Sequence, residues 1–208
     1  MTNTEKSEIN CACGVCGITL ADGRAIQNIR CGCEDCRQAL QWAHTQGGRK
    51  PSHISNAYYI PADIIETNGV EYMKAYKLRQ DGRSTRVFCK KCYSMIGVDH
   101  PAYQSNVFMI SEIHCHTSCD LSVSLTCYLF MNDYTEDMGP APDGDVPLFT
   151  DFRFPQEYKR FRSLPVVKNA FRARETEPTG MTFTAFLEQL GPVSVLDLPK
   201  GQNLLGVK

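Results

Sequence analysis

Seven of the chain's eleven cysteines fall into three tight clusters, Cys11-x-Cys13, Cys31-x-Cys33-x-x-Cys36 and Cys89-x-x-Cys92. A C-x-x-C turn reverses the chain and aims two sulfurs at one ion, with backbone N–H groups facing the thiolates. A C-x-C pair does the same from a more extended backbone. Two such pairs, distant in sequence, make a tetrahedral four-thiolate site that staples two parts of a domain together. Four ligands close one structural site; three ligands and an open position are the arrangement of a zinc that does chemistry. Spacing pairs Cys11, Cys13, Cys89 and Cys92 as the closed site and leaves Cys31, Cys33 and Cys36 to cap a second ion. Another arrangement stays open at this point, in which all seven sulfurs serve structure and Cys16 or a histidine completes the second site. Iron suits four thiolates as well as zinc does.

The rest of the sequence favours metal over disulfides. Eleven is odd, so one chain cannot pair every cysteine, and residues 1–10 are polar, without the apolar stretch of a secretory signal. A reducing compartment is expected, the cytoplasm, with the nucleus also compatible. The 208 residues suffice for one domain with an appended segment, and the net charge of −1 gives no electrostatic footing for nucleic acid or an anionic membrane. Hydrophobic residues at 42% and a mean hydropathy of −0.30 fit a folded chain without a membrane span.

The clusters sit in a mainly β context. Residues 1–10 read as a frayed start. Residues 15–20, 57–60, 70–78, 85–88, 107–110 and 122–130 are strand candidates rich in β-branched and aromatic residues, and Asp81-Gly82 marks a turn between two of them. In 122–130, Val123, Leu125, Cys127 and Leu129 alternate onto one face. Residues 34–44 fit a short helix with Cys36, Leu40 and Ala43 along one side. The Pro- and Gly-rich stretch 139–147 divides a zinc domain, 8–138, from an extension, 139–208. In the extension a basic-aromatic segment, 152–172, is expected to pack its rings on the β core and leave its charges in water. Phe183, Phe186, Leu187 and Leu190 then follow helical spacing, with Gly191-Pro192 as the stop.

The order CACGVCG, CGCEDCRQ, RVFCKKC resembles the glutathione-dependent formaldehyde-activating enzyme family, which includes the centromere protein V group. The resemblance covers roughly residues 8–130. It implies a β-rich fold stapled by zinc and similar to the Mss4 protein, with two zinc ions per chain. It assigns the structural ion to Cys11, Cys13, Cys89 and Cys92, and the ion associated with activity to Cys31, Cys33 and Cys36. The implied reaction joins glutathione and formaldehyde and is classed with carbon–sulfur lyases. Three departures fall where a substrate would lie: Gly32 stands for a histidine, Tyr93 for a glycine, and 38–42 (QALQW) for a stretch of small residues.

Zinc with three thiolates carries a formal charge of −1, so a thiol is a better fourth ligand than water, and zinc equally stabilises a departing thiolate. The expected partner is therefore a small-molecule thiol adduct, with glutathione as co-substrate; a homo-oligomer is compatible. Arg37 is a candidate for pairing with a glutathione carboxylate, Trp42 for lining the pocket, and His44 for acid–base work. Against these stand the plainer roles of surface arginine and core tryptophan. His114, Cys115, His116 and Cys119 crowd six residues, but the first three are adjacent and alternate in direction on a strand, so one or two of them nearing the second zinc is the better reading than a third metal. Cys16 and Cys127 read as small buried apolar residues. Two other classes remain beside the enzyme: a non-catalytic, zinc-stabilised binding or scaffold module, and a redox-sensing cluster that releases zinc on oxidation.

Overall fold

The computed structural model describes residues 6–111, 114–134, 144–170 and 177–205. In chain order its elements are β1 (Ser7–Cys11), β2 (Gly17–Leu20), β3 (Gln27–Cys31), α1 (Glu34–Thr45), β4 (Ser55–Pro61), β5 (Ile64–Asn68), β6 (Met73–Lys77), β7 (Thr85–Cys89), β8 (Met95–Asp99), β9 (Val107–Ser111), β10 (Cys115–Thr117), β11 (Leu125–Leu129), α2 (Pro155–Ser163), α3 (Pro165–Ala170), α4 (Phe183–Gln189) and β12 (Ser194–Val195). The chain is mainly β, in two sheets with a few short helices. A four-stranded sheet runs β10-β1-β2-β5, and an eight-stranded sheet runs β11-β3-β4-β9-β8-β7-β6-β12. Neighbours are antiparallel except for β11 on β3 and β12 on β6, which are parallel.

The period of two along β4 shows how the large sheet serves two cores. Tyr58 and Ile60 face the small sheet, joining Ile9, Ile18, Leu20, Phe108 and Ile110. Ala57 and Tyr59 face the other way, toward Ala39, Leu40 and Ala43 of α1. The C-terminal segment enters both cores. Phe183, Phe186 and Leu187 of α4 close the first, with Phe183 stacked 4.6 Å from Phe108. Gly97 makes that stack fit, since a Cβ there would lie 2.7 Å from the Phe183 ring. Phe149, Phe161, Val167 and Ala170 close the second core.

Several expectations need correction. The polar start is a strand from Ser7 on, central in the small sheet, because Ser7, Ile9 and Cys11 alternate inward. Residues 70–72 form a 3₁₀ turn and the strand begins at Met73. In 122–130 only Leu125–Leu129 is strand, and an irregularity between Leu125 and Cys127 breaks the alternation, so Val123 packs in the first core and Cys127 in the second. The basic-aromatic segment forms α2 and α3; it buries Phe161 but leaves Phe154 and Tyr158 about half exposed. Residues 139–143 of the expected linker, and 171–172, lie outside the described residues. Among the described residues no helix is long and apolar enough to cross a membrane.

Candidate metal centres

Cys11, Cys13, Cys89 and Cys92 converge, their sulfurs all within 4.8 Å of one another, with Cys11 to Cys13 at 3.5 Å and Cys13 to Cys89 at 3.8 Å. A tetrahedron with metal–sulfur bonds of about 2.3 Å has edges of about 3.8 Å, so the donor set fits a zinc-sized ion. Two chain reversals build it. Cys11 closes β1, and its N–H reaches Cys16 O while Gly14 N–H reaches Cys11 O, which lifts Cys13 to an exposed tip. Cys89 closes β7, with Lys91 N–H directed at its sulfur and Cys89 N–H donating to Ser94 O. The group therefore takes two sulfurs from each sheet. Tyr93, where the resemblance has glycine, adopts a left-handed φ of 52°, a strain of about 1 kcal/mol offset by its edge contact with Trp42.

Ser94 bridges the halves: its hydroxyl oxygen accepts from Ala12 N–H at 3.0 Å and lies 3.2 Å from Cys92 Sγ. Burial pushes the Cys92 thiol up, but the Ser94 hydroxyl and surrounding amides outweigh it and bring it down to about 6. The Val15 amide favours the Cys13 thiolate, yet burial and three neighbouring sulfurs push Cys13 up to about 12. Two further sulfurs lie alongside. Cys16 is fully buried against Cys11 and Cys89, and Cys115 sits opposite Cys11 in the β1–β10 register.

Cys31, Cys33 and Cys36 form the second group, also within 4.8 Å. Cys31 ends β3, Cys33 caps α1 by accepting from Cys36 N–H at 3.3 Å, and Cys36 lies in the first helical turn. Asp133 adds a second cap on Glu34 N–H. A helix N-terminus stabilises negative charge, which suits thiolates. The neighbouring Cys31 and Cys33 thiols hold Cys36 well below the ordinary thiol range against the opposing effect of burial, and Arg86 contributes to the same end. Gly32 leaves little room for the histidine of the resemblance, since a Cβ there would meet Met131 Sδ and Phe130 O at 3.2 Å.

The remaining candidates are placed as follows. Arg37 Nη1 donates to Gly32 O and Asp133 O, so it braces the cysteine loop. Trp42 packs among Tyr76, Phe88 and Tyr93 at centroid distances of 5.0 to 5.7 Å. His44 sits in the last turn of α1, about 12 Å along the axis from Cys36, and bonds Gly48 O through Nδ1. That position removes it from chemistry at the second group. His114, Cys115, His116 and Cys119 do not gather into a metal group among the described residues. His114 is buried and His116 exposed, and Cys115 neighbours the first group rather than the second. Sequence reasoning missed Ser94, Arg86 and the tyrosines Tyr59 and Tyr103. Only Ser94 left a signal, as the second residue after a C-x-x-C.

The fold and its sulfurs define a class, a two-sheet β protein with one four-cysteine group clasping both sheets and one three-cysteine group at a helix start, each able to hold a metal ion. The chain matches no known family model, and no curated protein matches it.

Proposed function

We propose that the second cysteine group holds a zinc ion with one position left open, and that the chain makes or breaks carbon–sulfur bonds of glutathione or a related thiol adduct there, in the manner of glutathione-dependent formaldehyde-activating enzymes. The observation that carries this reading is the difference between the groups: among the described residues one gathers four donors and the other three. Zinc held by three thiolates supplies a position where a thiol gives up its proton and is kept as a nucleophile.

The chain's own groups fit the rest of the step. The carbon–sulfur bond forms as the carbonyl π bond breaks, and the proton lost from the thiol ends on the new hydroxyl oxygen. The caps on α1 hold Cys33 and Cys36 in place, and Arg37 fixes the loop between Cys31 and Cys33. Burial keeps the hydroxyls of Tyr59 and Tyr103 protonated within the field of Cys31 and Cys36, where the two bond each other and Tyr103 donates to Met109 Sδ. Exchange between glutathione and its hydroxymethyl adduct, followed by NMR with and without enzyme, tests the reading. Cys33→Ser is expected to abolish the enzyme-dependent exchange while one metal per chain stays bound; undiminished exchange in that variant would overturn it.

A further inference from the structure

Arg86 lies on β7 in a row that crosses the large sheet on its α1 side, Tyr76–Arg86–Val98–Met109–Tyr59–Gln27. It is 3% exposed, and its guanidinium lies against Cys36. Among the described residues no carboxylate pairs with it; it donates to Ser84 O at 3.5 Å, and its charge also acts on Tyr103 and His100. A guanidinium this deeply buried calls for an opposite charge beside it, and the anionic group its charge acts on is Cys36 of the second cluster.

The charge balance separates the two groups. At the first, Cys13 is exposed and water disperses the charge of four thiolates. At the second, Cys31 is buried and Cys33 and Cys36 are half-buried, and an ion with three thiolates already carries −1. A neutral fourth ligand keeps that value, whereas an anionic one takes it to −2 in a partly buried site, a charge that a fixed counter-ion stabilises. The same face holds polar atoms with nothing to bond. Ser55 stands directly across from Cys31 in the β3–β4 register with its hydroxyl unpartnered, and both amide atoms of the fully buried Gln27 are unpartnered too. Buried groups of this kind call for a partner, a water or a bound ligand, to complete the hydrogen bonding.

We propose that Arg86 is the positioning residue that makes the second group accept an anionic ligand, a thiolate, in preference to a neutral one, with the Ser55 hydroxyl donating to what binds beside Cys31. This rests on the thiol reading of that group and specifies the charge state in which the thiol is held.

Cobalt replaces zinc as a spectroscopic probe, and the full chain is titrated with glutathione, 2-mercaptoethanol and imidazole while the cobalt bands are followed. Arg86→Met and Arg86→Gln are expected to weaken both thiols about tenfold or more and to leave imidazole binding in place, whereas Arg86→Lys restores the thiols. Cobalt retained at the first group reports an intact fold, and two neutral variants guard against either one failing to fold. Equal loss for thiols and imidazole, or no loss, overturns the assignment of Arg86 alone. Loss confined to glutathione also overturns it, since Arg86 would then serve a peptide carboxylate. A wild-type spectrum indifferent to every thiol overturns the thiol reading itself.

Discussion

His114 is a fully buried imidazole whose Nδ1 accepts from Met95 N–H at 3.4 Å and whose Nε2 has no partner. Burial, helped by the charge of Arg49, lowers its pKa to about 4. The unfolded chain binds this proton near pH 6.5 and the folded chain only near 4. His114 therefore leaves stability untouched above pH 6.5 and subtracts from it as pH falls between those values, by about 3 kcal/mol in all. His114→Gln is expected to flatten that part of the profile, seen as a smaller drop in urea midpoint between pH 7 and pH 4.5. An identical slope in variant and wild type would place the acid sensitivity elsewhere. The residue was conspicuous in the sequence among neighbouring cysteines, but its burial was not, because a run of His and Cys reads alike on either face of a strand.

Helix α1 carries Cys36 of the second group and is capped by Cys33, and the end of the chain straps it down. After β12 pairs with β6, the strap bonds Glu34, Gln38 and Gln41, which share one helix face. Gln38 Nε2 donates to Pro199 O at 2.8 Å and to Gln202 O at 2.9 Å, and Gln41 exchanges hydrogen bonds with Asn203 and Leu204. Gly201 N–H reaches Glu34, and Arg79 joins Gln38 Oε1 and Leu198 O to the pair it makes with Asp35. A chain ending at Pro192 is expected to lose about 2–3 kcal/mol, a fall of roughly 5–10 °C in melting temperature. The emission of Trp42, the single tryptophan, should move toward the red as α1 loosens. An unshifted spectrum and melting point would show that the strap adds nothing. The helix was legible from Cys36, Leu40 and Ala43. Its strap was not, because two glutamines that bond a distant segment look like any solvated polar stretch.

At the scale of the molecule, the first cysteine group joins two sheets that otherwise meet through apolar packing and a few hydrogen bonds, such as Ala12 N–H to Ser94 and the Cys115 thiol to Met95 O. Metal bound there counts toward folding, because the unfolded chain offers no such site. Two ions per chain are expected, the one at the three-cysteine group leaving first under a mild chelator. Loss of the second ion should lower the melting temperature by about 10 °C or more. Elemental analysis beside a thermal scan at each stage checks this, and an unchanged melting point after both ions leave would deny the staple its role.

The cysteine spacing by itself pointed to the two sulfur groups, because ligand geometry constrains residues only a few positions apart and each cluster carries its own turn, but it left open whether Cys16 or a histidine completes the second. It also determined the β character and the positions of α1 and α4, where periodicity is strong. Tertiary structure alone decided which groups surround the sulfurs. Arg86 meets Cys36 because α1 is laid across a sheet whose strands β3 and β7 lie four places apart, and His44 is carried away from them by the length of its own helix. Such encounters depend on sheet order and on how helix and strap dock, and no local pattern encodes them.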